Sequence, residues 1–571
     1  MASPTRNASS HRGAISRPSS TYARKRAVRA CQVCRARRTK CDQKRPSCSF
    51  CVKAGVECVF ELDANATFDQ ASLAIIDRLD RLERKMDAQF VHRRETDGSS
   101  ATSDNLGFGE PPSAKPSRER LFPANLDGVL RWPVFQNNTL PTASISSPHS
   151  TRGNSQHCSL QTSLLGDDLD PLTCDRWLDN FFAHVHVKNP ILDEVETRRM
   201  VRKLCVQGVG WDITSCLALL VCANGAIARP LHESLDVSDP DIQTATALFN
   251  AAQKRSGNGL ACVGLIQAQC AFLSGVLLMS LLRPVEAWTT FVHGLAICQA
   301  LPSIRRLQPE TEHNTSAEVV SEQSIFWSCR KSEQELKFEL GMSGSSGPAD
   351  DPPQLFPNPP EGCHGHIERA WYFYLSEISL WRLEVNARRL MHQLEHDTWA
   401  TLSPALSELG QSTLGQLEAW RDSLPPLVNI GSDEGYNGDD VVRFVLRGRV
   451  TYVHELISWP FLLTAIHDGP SHLESEQWVS NALAFHHNRL LVNTPGFYHR
   501  HHGTWLMLRS SARSACILLG FACLYPKSRL MPQAWKAAIF DIVKMLEHWS
   551  TEVEDIRPAL EIMTQLVEVL E

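Results

Sequence analysis

Six cysteines are crowded together near the start of the chain, in the stretch CQVCRARRTKCDQKRPSCSFCVKAGVEC. Each half of the stretch has a C-x-x-C pair followed, after six further residues, by a third cysteine, and the second half repeats the spacing of the first. The six are Cys31, Cys34, Cys41, Cys48, Cys51 and Cys58. Such regular spacing of thiols has three candidate causes: disulfides, one zinc site, or a metal cluster.

The rest of the chain argues against disulfides. The opening segment, MASPTRNASSHRGAISRPSS, is polar and predicts no secretory signal. The other cysteines, 12 of 18, lie mostly in apolar runs such as SCLALLVCANGA, where they are typical of buried small residues. This distribution indicates a reducing compartment, where densely spaced cysteines usually bind metal.

The number of thiols favours two zinc ions over one. Zinc prefers four ligands in a tetrahedron. A single ion held by the two C-x-x-C pairs would leave the matched residues Cys41 and Cys58 unused. Two ions need eight ligand bonds, which six thiolates supply if two of them bridge both metals. The repeat therefore predicts a pseudo-twofold unit with one bridging cysteine from each half, and the arithmetic does not select the pair.

Charge differs between the two halves of this stretch. Residues 1–60 contain 14 Lys/Arg and two Asp/Glu, whereas the whole chain contains 57 and 63 and has a net charge of −6. The second half carries only Lys53, against Glu57, while the first half carries four basic residues, Arg35, Arg37, Arg38 and Lys40. This asymmetry indicates nucleic acid at the basic end. The alternatives are a solvated basic face and a nuclear-import signal at ARKRAVR.

The stretch resembles the fungal binuclear zinc cluster DNA-binding domain, and the match includes the Lys40-Cys41-Asp42 run and Pro46. The resemblance implies two zinc ions bridged by Cys31 and Cys48, with Cys34 and Cys41 completing one site and Cys51 and Cys58 the other. We expect metal binding to be part of folding, because so short a stretch cannot bury a sufficient core. The predicted domain is residues 29–60, after a disordered basic terminus at 1–28.

The resemblance also implies a mode of DNA binding. In the family, a short helix after the second cysteine enters the major groove and reads a CGG-type triplet; here it maps onto Arg37 and Arg38. Many members have lysine at the second position, so Arg38 departs from the commonest pattern. Arginine can donate to both O6 and N7 of guanine. Phosphate contacts are predicted for the remaining basic residues, Arg35, Lys40, Lys44 and Arg45.

A heptad pattern follows a linker at residues 61–71. In residues 72–95, apolar side chains recur at steps of four, three and four, at Ile75, Leu79, Leu82 and Met86. This is the a/d seam of a short parallel coiled coil, and Arg78 and Glu83 would form an attractive g/e pair. The pattern predicts a homodimer, which would double the length of DNA recognised. The alternative is an amphipathic helix packed on the rest of the protein.

Residues 96–169 are rich in Ser, Pro, Thr and Asn and predict a disordered linker. One apolar island, LDGVLRWPVF at 126–135, interrupts it and is either a docking peptide or an arm on the following domain. The segment SLLGDDLDPL combines acids and leucines, as in activation segments, and we expect it to lead into the next domain.

Residues 170–571 show helical spacing of apolar residues nearly throughout, with loops at 341–365 and 428–440, and predict a large all-α domain. Segments such as EAWTTFVHGLAICQALP and IFWSCRKSEQELKFELG resemble the middle homology region of the same fungal regulators. This resemblance implies regulation, and a small-molecule effector of unknown identity, without catalysis.

Two segments allow other interpretations. The run from Ser256 to Leu282 is uncharged and long enough to span a membrane, but its glycines and glutamines favour a buried helix, or two helices joined at LSG. The segment FHHNRLLVNTPGFYHRHHGTW favours a polar loop over a metal site, since it lacks H-E-x-x-H spacing; its histidines are His486, His487, His499, His501 and His502.

The sequence as a whole predicts a multidomain, zinc-dependent, sequence-specific transcription regulator. It would act in the nucleus as a homodimer on RNA polymerase II genes, with double-stranded DNA and the transcription machinery as partners. Resemblance to regulators encoded in filamentous-fungal gene clusters suggests control of secondary metabolism. No P-loop, dinucleotide fingerprint or nucleophile elbow occurs, so no catalytic residue is predicted. The alternatives are a metabolic enzyme with a zinc-dependent nucleic-acid-binding head and a membrane-tethered regulator.

Overall fold

The computed structural model separates the chain into two compact units, Met1–Asp69 and Gln70–Glu571. The residues it describes are 33–34, 37, 39, 41–42, 44, 46–58, 121–136, 169–235, 238–257, 263–305, 317–342, 357, 359–360, 362, 364–394, 399–431, 440–468 and 473–570. The predicted coiled-coil residues Ile75, Leu79, Leu82 and Met86 lie outside these ranges, as do the linker at 61–71 and the terminus at 1–28.

In the first unit the structure describes the short helix α1 (Ser49–Ala54), and Val33 and Cys34 are also helical. The helix ends at Gly55, which has a φ of 63° and lies in the left-handed region that favours glycine. Cys34, Cys48 and Cys51 are completely buried, and only partly buried side chains surround them. The centre of this unit is therefore made of thiols, since its described residues supply no larger apolar core.

The second unit is built from helices, and none of its described residues lies in a strand. The α-helices are α2 (Leu126–Leu130), α3 (Pro133–Gln136), α4 (Pro171–Asn180), α5 (Glu194–Gln207), α6 (Ile213–Ile227), α7 (Pro240–Ser256), α8 (Leu265–Ser280), α9 (Pro284–Cys298), α10 (Pro302–Arg305), α11 (Ala317–Glu339), α12 (His366–Gln393), α13 (Trp399–Asp422), α14 (Val441–Asp468), α15 (Leu473–Asn493), α16 (Thr504–Leu524), α17 (Trp535–Trp549) and α18 (Arg557–Leu570). A π-helical turn (Phe181–Val185) and 3₁₀ turns (His186–Lys188, Thr494–Gly496 and Glu554–Ile556) extend or connect them. The prediction of a large all-α region is confirmed.

Aspartates begin several of these helices. The side chains of Asp170, Asp193, Asp212 and Asp239 accept hydrogen bonds from backbone N–H groups at the starts of α4, α5, α6 and α7. Each carboxylate satisfies a donor that has no partner within its helix and lies at the positive end of the helix dipole. The local sequence thus fixes where these helices start.

Two apolar helices lie at the centre of the second unit. Almost all residues of α6 and α8 are buried, and Asn224 on α6 donates to the carbonyl of Leu273 on α8 at 3.2 Å. The uncharged run from Ser256 to Leu282 therefore contains a buried helix. The alternative of two helices joined at LSG is wrong, because Leu273 to Gly275 lie inside α8.

The apolar island at 126–135 lies on the helical unit. Helices α2 and α3 pack against α16, and the island's apolar side chains are buried, namely Leu126, Val129, Leu130, Trp132 and Phe135. The island therefore behaves as an arm on the following domain. The predicted linker at 96–169 is wrong for residues 121–136; most of its remaining residues, 96–120 and 137–168, lie outside the described ranges.

Helix α16 is long and apolar enough, among the described helices, to cross a membrane. However, 83% of its most apolar stretch is buried inside the protein. The helix also carries Arg509 and Arg513, each at most 2% exposed, with ion pairs to neighbouring helices. These features are typical of a core helix.

The histidine-rich segment is not the predicted polar loop. His486 and His487 lie on α15, and His486, His499 and His501 are buried. The rings are accommodated by polar partners on other elements: His486 Nδ1 lies 3.0 Å from Ser514 Oγ, and His499 Nδ1 lies 3.1 Å from the carbonyl of Glu233. Burial of these rings depends on long-range contacts, which the local composition does not indicate.

Candidate zinc cluster and nucleic-acid interface

Four of the other five predicted ligands lie close to Cys48. The Sγ atoms of Cys34, Cys48 and Cys51 lie within 4.8 Å of one another, and Cys34 Sγ is 3.6 Å from Cys48 Sγ. Cys41 Sγ also lies within 4.8 Å of Cys48 Sγ. The backbone N–H of Cys48 donates to Cys58 Sγ at 3.2 Å. Thiols this close, with no disulfide among them, form a donor set that suits a thiophilic metal such as zinc.

Cys48 is the member common to these contacts. It lies near Cys34 and Cys41 from the first half and near Cys51 and Cys58 from its own half. A thiolate in that position can reach two metal ions, which agrees with the bridging role implied by the resemblance. The other implied bridge, Cys31, lies outside the described residues.

Backbone hydrogen bonds repeat at the same interval as the cysteines. In the first half, Thr39 N–H donates to the carbonyl of Cys34 at 3.0 Å. In the second half, Val56 N–H donates to the carbonyl of Cys51 at 3.2 Å. Val56 follows Thr39 at the same interval as Cys51 follows Cys34, which is the offset of the cysteine repeat. In each half, the chain therefore continues from the second cysteine of the C-x-x-C pair through the same kind of turn.

Asp42 and Ser49 join the two halves. The Asp42 carboxylate accepts hydrogen bonds from the Ser49 hydroxyl and from the Ser49 backbone N–H, the latter at 2.9 Å. These two bonds lower the pKa of Asp42 and keep it ionised at the start of α1. This contact was not predicted from the sequence. An acid followed seven residues later by a serine at a helix start was the available signal.

The basic residues that the structure describes lie on the outside of the unit. Arg37 and Lys44 are exposed, and Arg37 N–H donates to the carbonyl of Val33, which fixes its backbone beside the first C-x-x-C pair. Lys53 on α1 is also exposed, as is Glu57. Four other predicted DNA contacts, Arg35, Arg38, Lys40 and Arg45, lie outside the described residues.

Comparison with known proteins points to the same part of the chain. Residues 29–66 match the family model of the fungal Zn(2)-Cys(6) binuclear cluster domain. Transcription regulator galc of Aspergillus niger is 35% identical over 94 residues, which is 14% of this chain and 11% of that protein. Oleate-activated transcription factor 1 of Saccharomyces cerevisiae is 32% identical over 101 residues, or 16% of this chain and 10% of that protein.

One relative matches well beyond the cysteine-rich unit. Putative transcription factor ecdB of Aspergillus rugulosus is 27% identical over 276 residues, which is 46% of this chain and 45% of that protein. The matched regions thus span about a tenth to just under half of the length of these relatives. No solved structure gives a significant match to the chain.

Proposed function

The chain carries a fungal Zn(2)-Cys(6) binuclear cluster domain, which binds two zinc ions through six cysteines, and from this premise we propose that it is a sequence-specific, DNA-binding transcription regulator. It binds CGG-like triplets as a homodimer, acts in the nucleus on RNA polymerase II genes, and contacts the transcription machinery. The helical unit is its regulatory region. The protein also controls a secondary-metabolite gene cluster, a role suggested by the resemblance of its sequence to regulators encoded in filamentous-fungal gene clusters.

The observation that carries this proposal is the pairing of a thiol-centred scaffold with exposed cations on its first half. Cys34 and Cys48 are buried, whereas Arg37 is exposed and its backbone N–H donates to the carbonyl of Val33, next to Cys34. A zinc-held scaffold makes the position of such a side chain reproducible, and this is what reading a base edge requires. A solvated basic tail needs no such scaffold.

The direct test is selection of bound sequences from random duplex DNA by the full zinc-loaded chain. We expect enrichment of paired CGG-like triplets with a fixed spacing and orientation. Recovery of single triplets would contradict the homodimer, and recovery of unrelated sequences would contradict sequence-specific binding. Chelation of zinc before selection is the control, since the unfolded domain should enrich nothing.

Substitutions separate base contacts from phosphate contacts. Arg38→Ala should lose about 1–3 kcal/mol on the preferred duplex and relax the preference at one base pair. Arg45→Ala should weaken binding to preferred and scrambled duplexes alike and lower the salt slope by about one. Lys53→Ala, on the less basic half, is the matched control. If Arg38→Ala weakens binding to both duplexes equally, Arg38 contacts the DNA backbone, and the bases are read by Arg37 or Lys40.

Substitutions in the predicted coiled coil test the proposed homodimer. Leu79→Ala combined with Leu82→Ala should weaken binding to paired triplets sharply, because large-to-small changes in a core commonly cost about 2–5 kcal/mol per site. Zinc content should stay unchanged. Wild-type affinity and spacing preference in the double variant would exclude this segment as the dimer contact.

A further inference from the structure

A short segment of the chain, the arm at residues 121–136, occupies a groove on the helical unit. Its helices α2 and α3 have only five and four residues, fewer than an isolated helix needs to be stable in water. They pack against α16, and other side chains of the arm contact α11, α12 and α14. The arm therefore depends on the groove for its conformation, as a bound peptide does.

Apolar side chains anchor the arm in the groove. After the start of α2, five of them are buried, namely Leu126, Val129, Leu130, Trp132 and Phe135. The ring centroids of Trp132 and Trp459, on α14, are 6.0 Å apart. Gly520 on α16 leaves space for Phe135, because a Cβ atom at position 520 would lie 3.1 Å from Cζ of Phe135. Amphipathic peptides bind grooves on other proteins through anchors of this kind.

Polar contacts hold the start of the arm on two sides of the groove. The side-chain amide of Asn125 donates to the carbonyl of Glu339, the last residue of α11, at 3.1 Å. The carboxylate of Asp127, in the first turn of α2, accepts from Arg509 on α16 at 2.8 Å. An acid at the start of a short helix is therefore part of what the groove recognises.

The groove does not need the arm to balance its charges. Among the described residues, three arginines and three carboxylates of the helical unit pair with one another here, namely Arg489, Arg509, Arg513, Glu339, Glu455 and Asp555. The docked arm adds Asp127 as a fourth carboxylate, which shares the guanidinium of Arg509 with Asp555. Detachment of the arm therefore leaves none of these six charges unpaired, so it avoids the large cost of an uncompensated buried charge.

The arm also keeps its own backbone hydrogen bonds. The N–H groups of Val129, Trp132 and Phe135 donate to carbonyls within the arm, at 3.1, 3.0 and 3.0 Å. Seven of its sixteen residues are buried, whereas all sixteen lose backbone freedom when the arm docks. The entropic cost of ordering the arm therefore offsets much of the gain from burial, which favours a reversible contact.

We infer that the groove between α11, α14 and α16 is a peptide-binding site and that the arm is its intramolecular ligand, which detaches and rebinds as one piece. The partner that fits the vacated groove is an amphipathic segment of another protein, with an acid in its first turn followed by aliphatic and then aromatic anchors. Because the arm competes with this partner, it weakens the apparent affinity for it. The inference does not depend on the proposed DNA-binding function, because all these residues belong to the helical unit.

The experiment measures, by fluorescence anisotropy, the binding of a labelled peptide of residues 121–136 to the full zinc-loaded chain. In wild type the resident arm competes, so the apparent affinity is reduced to the fraction of chains with a vacant groove. Trp132→Ala combined with Phe135→Ala in the chain weakens the resident arm, and this double variant should bind the peptide at least tenfold more tightly. Leu172→Ala, at a position 80% exposed, is the matched control and should bind the peptide as wild type does.

Two further substitutions show where the peptide binds. Gly520→Val, added to the double variant, fills the space beside Phe135 and should weaken peptide binding at least tenfold. A peptide carrying Asp127→Lys should bind at least tenfold more weakly, because it places a cation beside Arg509. Equal binding to wild type and the double variant, no binding to either chain, or binding that Gly520→Val leaves unchanged would overturn the inference.

If the double variant does not fold, hydrogen exchange in the wild-type chain tests the same point. The amides of Val129, Trp132 and Phe135 should exchange as one group, at least about a hundredfold faster than amides in the middle of α6, because detachment is a smaller opening than global unfolding. Exchange of these three amides at unrelated rates, or at the rate of α6, would overturn the inference.

Discussion

The interiors of the two units of this chain are stabilised by different kinds of interaction. Among the described residues of the cysteine-rich unit, the fully buried side chains are Cys34, Cys48 and Cys51. In the helical unit, large apolar side chains fill the core, and Trp327, Trp459, Trp505 and Trp549 are among those almost completely buried. The first unit therefore depends on metal–thiolate bonds for its stability, while the second depends on burial of apolar surface.

The helical unit nevertheless also contains buried charged side chains, which form ion pairs between helices that are far apart in the sequence. Arg509 on α16 donates to Glu339 on α11 at 2.8 Å and to Asp127 on α2 at 2.8 Å. Arg513, one turn later, donates to Glu339 and to Glu455 on α14. The comparison shows that each unit has polar groups at its centre, but those of the first unit require a metal, whereas those of the second pair with one another.

The largest expected effect is on the cysteine-rich unit alone. Cys48→Ala should reduce the zinc content below two ions per chain and abolish DNA binding, because structural zinc contributes roughly 10–16 kcal/mol to the folding of small metal domains. Elemental analysis and DNA binding measure this. Cys516→Ala, at a completely buried thiol on α16, is the matched control and should keep both zinc and DNA binding. Retention of two zinc ions by Cys48→Ala would contradict the bridging role.

The next effect belongs to the helical unit alone. Arg509→Met should lower the free energy of unfolding of this unit by about 3–5 kcal/mol, because it leaves Glu339 and Asp555 without a shared buried partner. Denaturant unfolding followed by helical circular dichroism measures the change, and zinc content should stay at the wild-type value. Arg199→Met, at a position 67% exposed, should change stability by at most about 0.5 kcal/mol. If both substitutions lowered the free energy of unfolding by similar amounts, the buried ion pairs of Arg509 would stabilise the unit no more than an exposed ion pair does.

The sequence predicted the cysteine-rich unit better than the interior of the helical unit. All six predicted zinc ligands lie between Cys31 and Cys58, so their spacing nearly determines their geometry. In contrast, Arg509 and Asp127 are separated by 382 residues and pair only through the tertiary fold. The arginines on α16 gave no sign of burial, because a charged residue in an apolar helix predicts an exposed face as readily as an internal ion pair.

In two segments, the amino-acid composition led to a wrong structural prediction. The low-complexity character of residues 96–169 concealed α2 and α3, which are too short to show a helical period. The histidine-rich segment resembled a polar loop, but His499 is accommodated by a carbonyl 266 residues earlier in the chain. In both cases the determining partner lies on a distant helix or loop, so no local window contains the information.

The arm at 121–136 allows a test, with a smaller expected effect, of whether this segment stabilises the helical unit. Phe135 is 2% exposed and packs against Gly520 on α16, so Phe135→Ala should destabilise the helical unit by about 3 kcal/mol through the cavity it leaves. Thermal unfolding of the full chain measures this. Leu172→Ala, at a position 80% exposed, is the apolar control and should have little effect. An unchanged unfolding temperature in Phe135→Ala would show that the arm contributes nothing to the unit.

A pH dependence also distinguishes the two units. Burial lowers the pKa of His486 to about 4, although Glu455 opposes the shift. The unfolded chain has a histidine pKa of about 6.5 and therefore binds a proton that the folded chain excludes as the pH falls from 6.5 to 4. The stability conferred by the neutral ring is complete above about pH 6.5 and is lost towards pH 4, with a slope of about 1.4 kcal/mol per pH unit for one proton.

His486→Gln should remove that part of the slope from the denaturant unfolding of the helical unit. His186 and His499, whose pKa values burial also lowers to about 4, should supply slopes of the same sign that remain in the variant. His232→Gln, at an exposed position, is the matched control. Zinc release, followed in the same samples, reports protonation of the thiolates and should be identical in His486→Gln and wild type. If His486→Gln and wild type lose stability equally between pH 6.5 and 4, the buried ring is not responsible for the acid sensitivity of the helical unit.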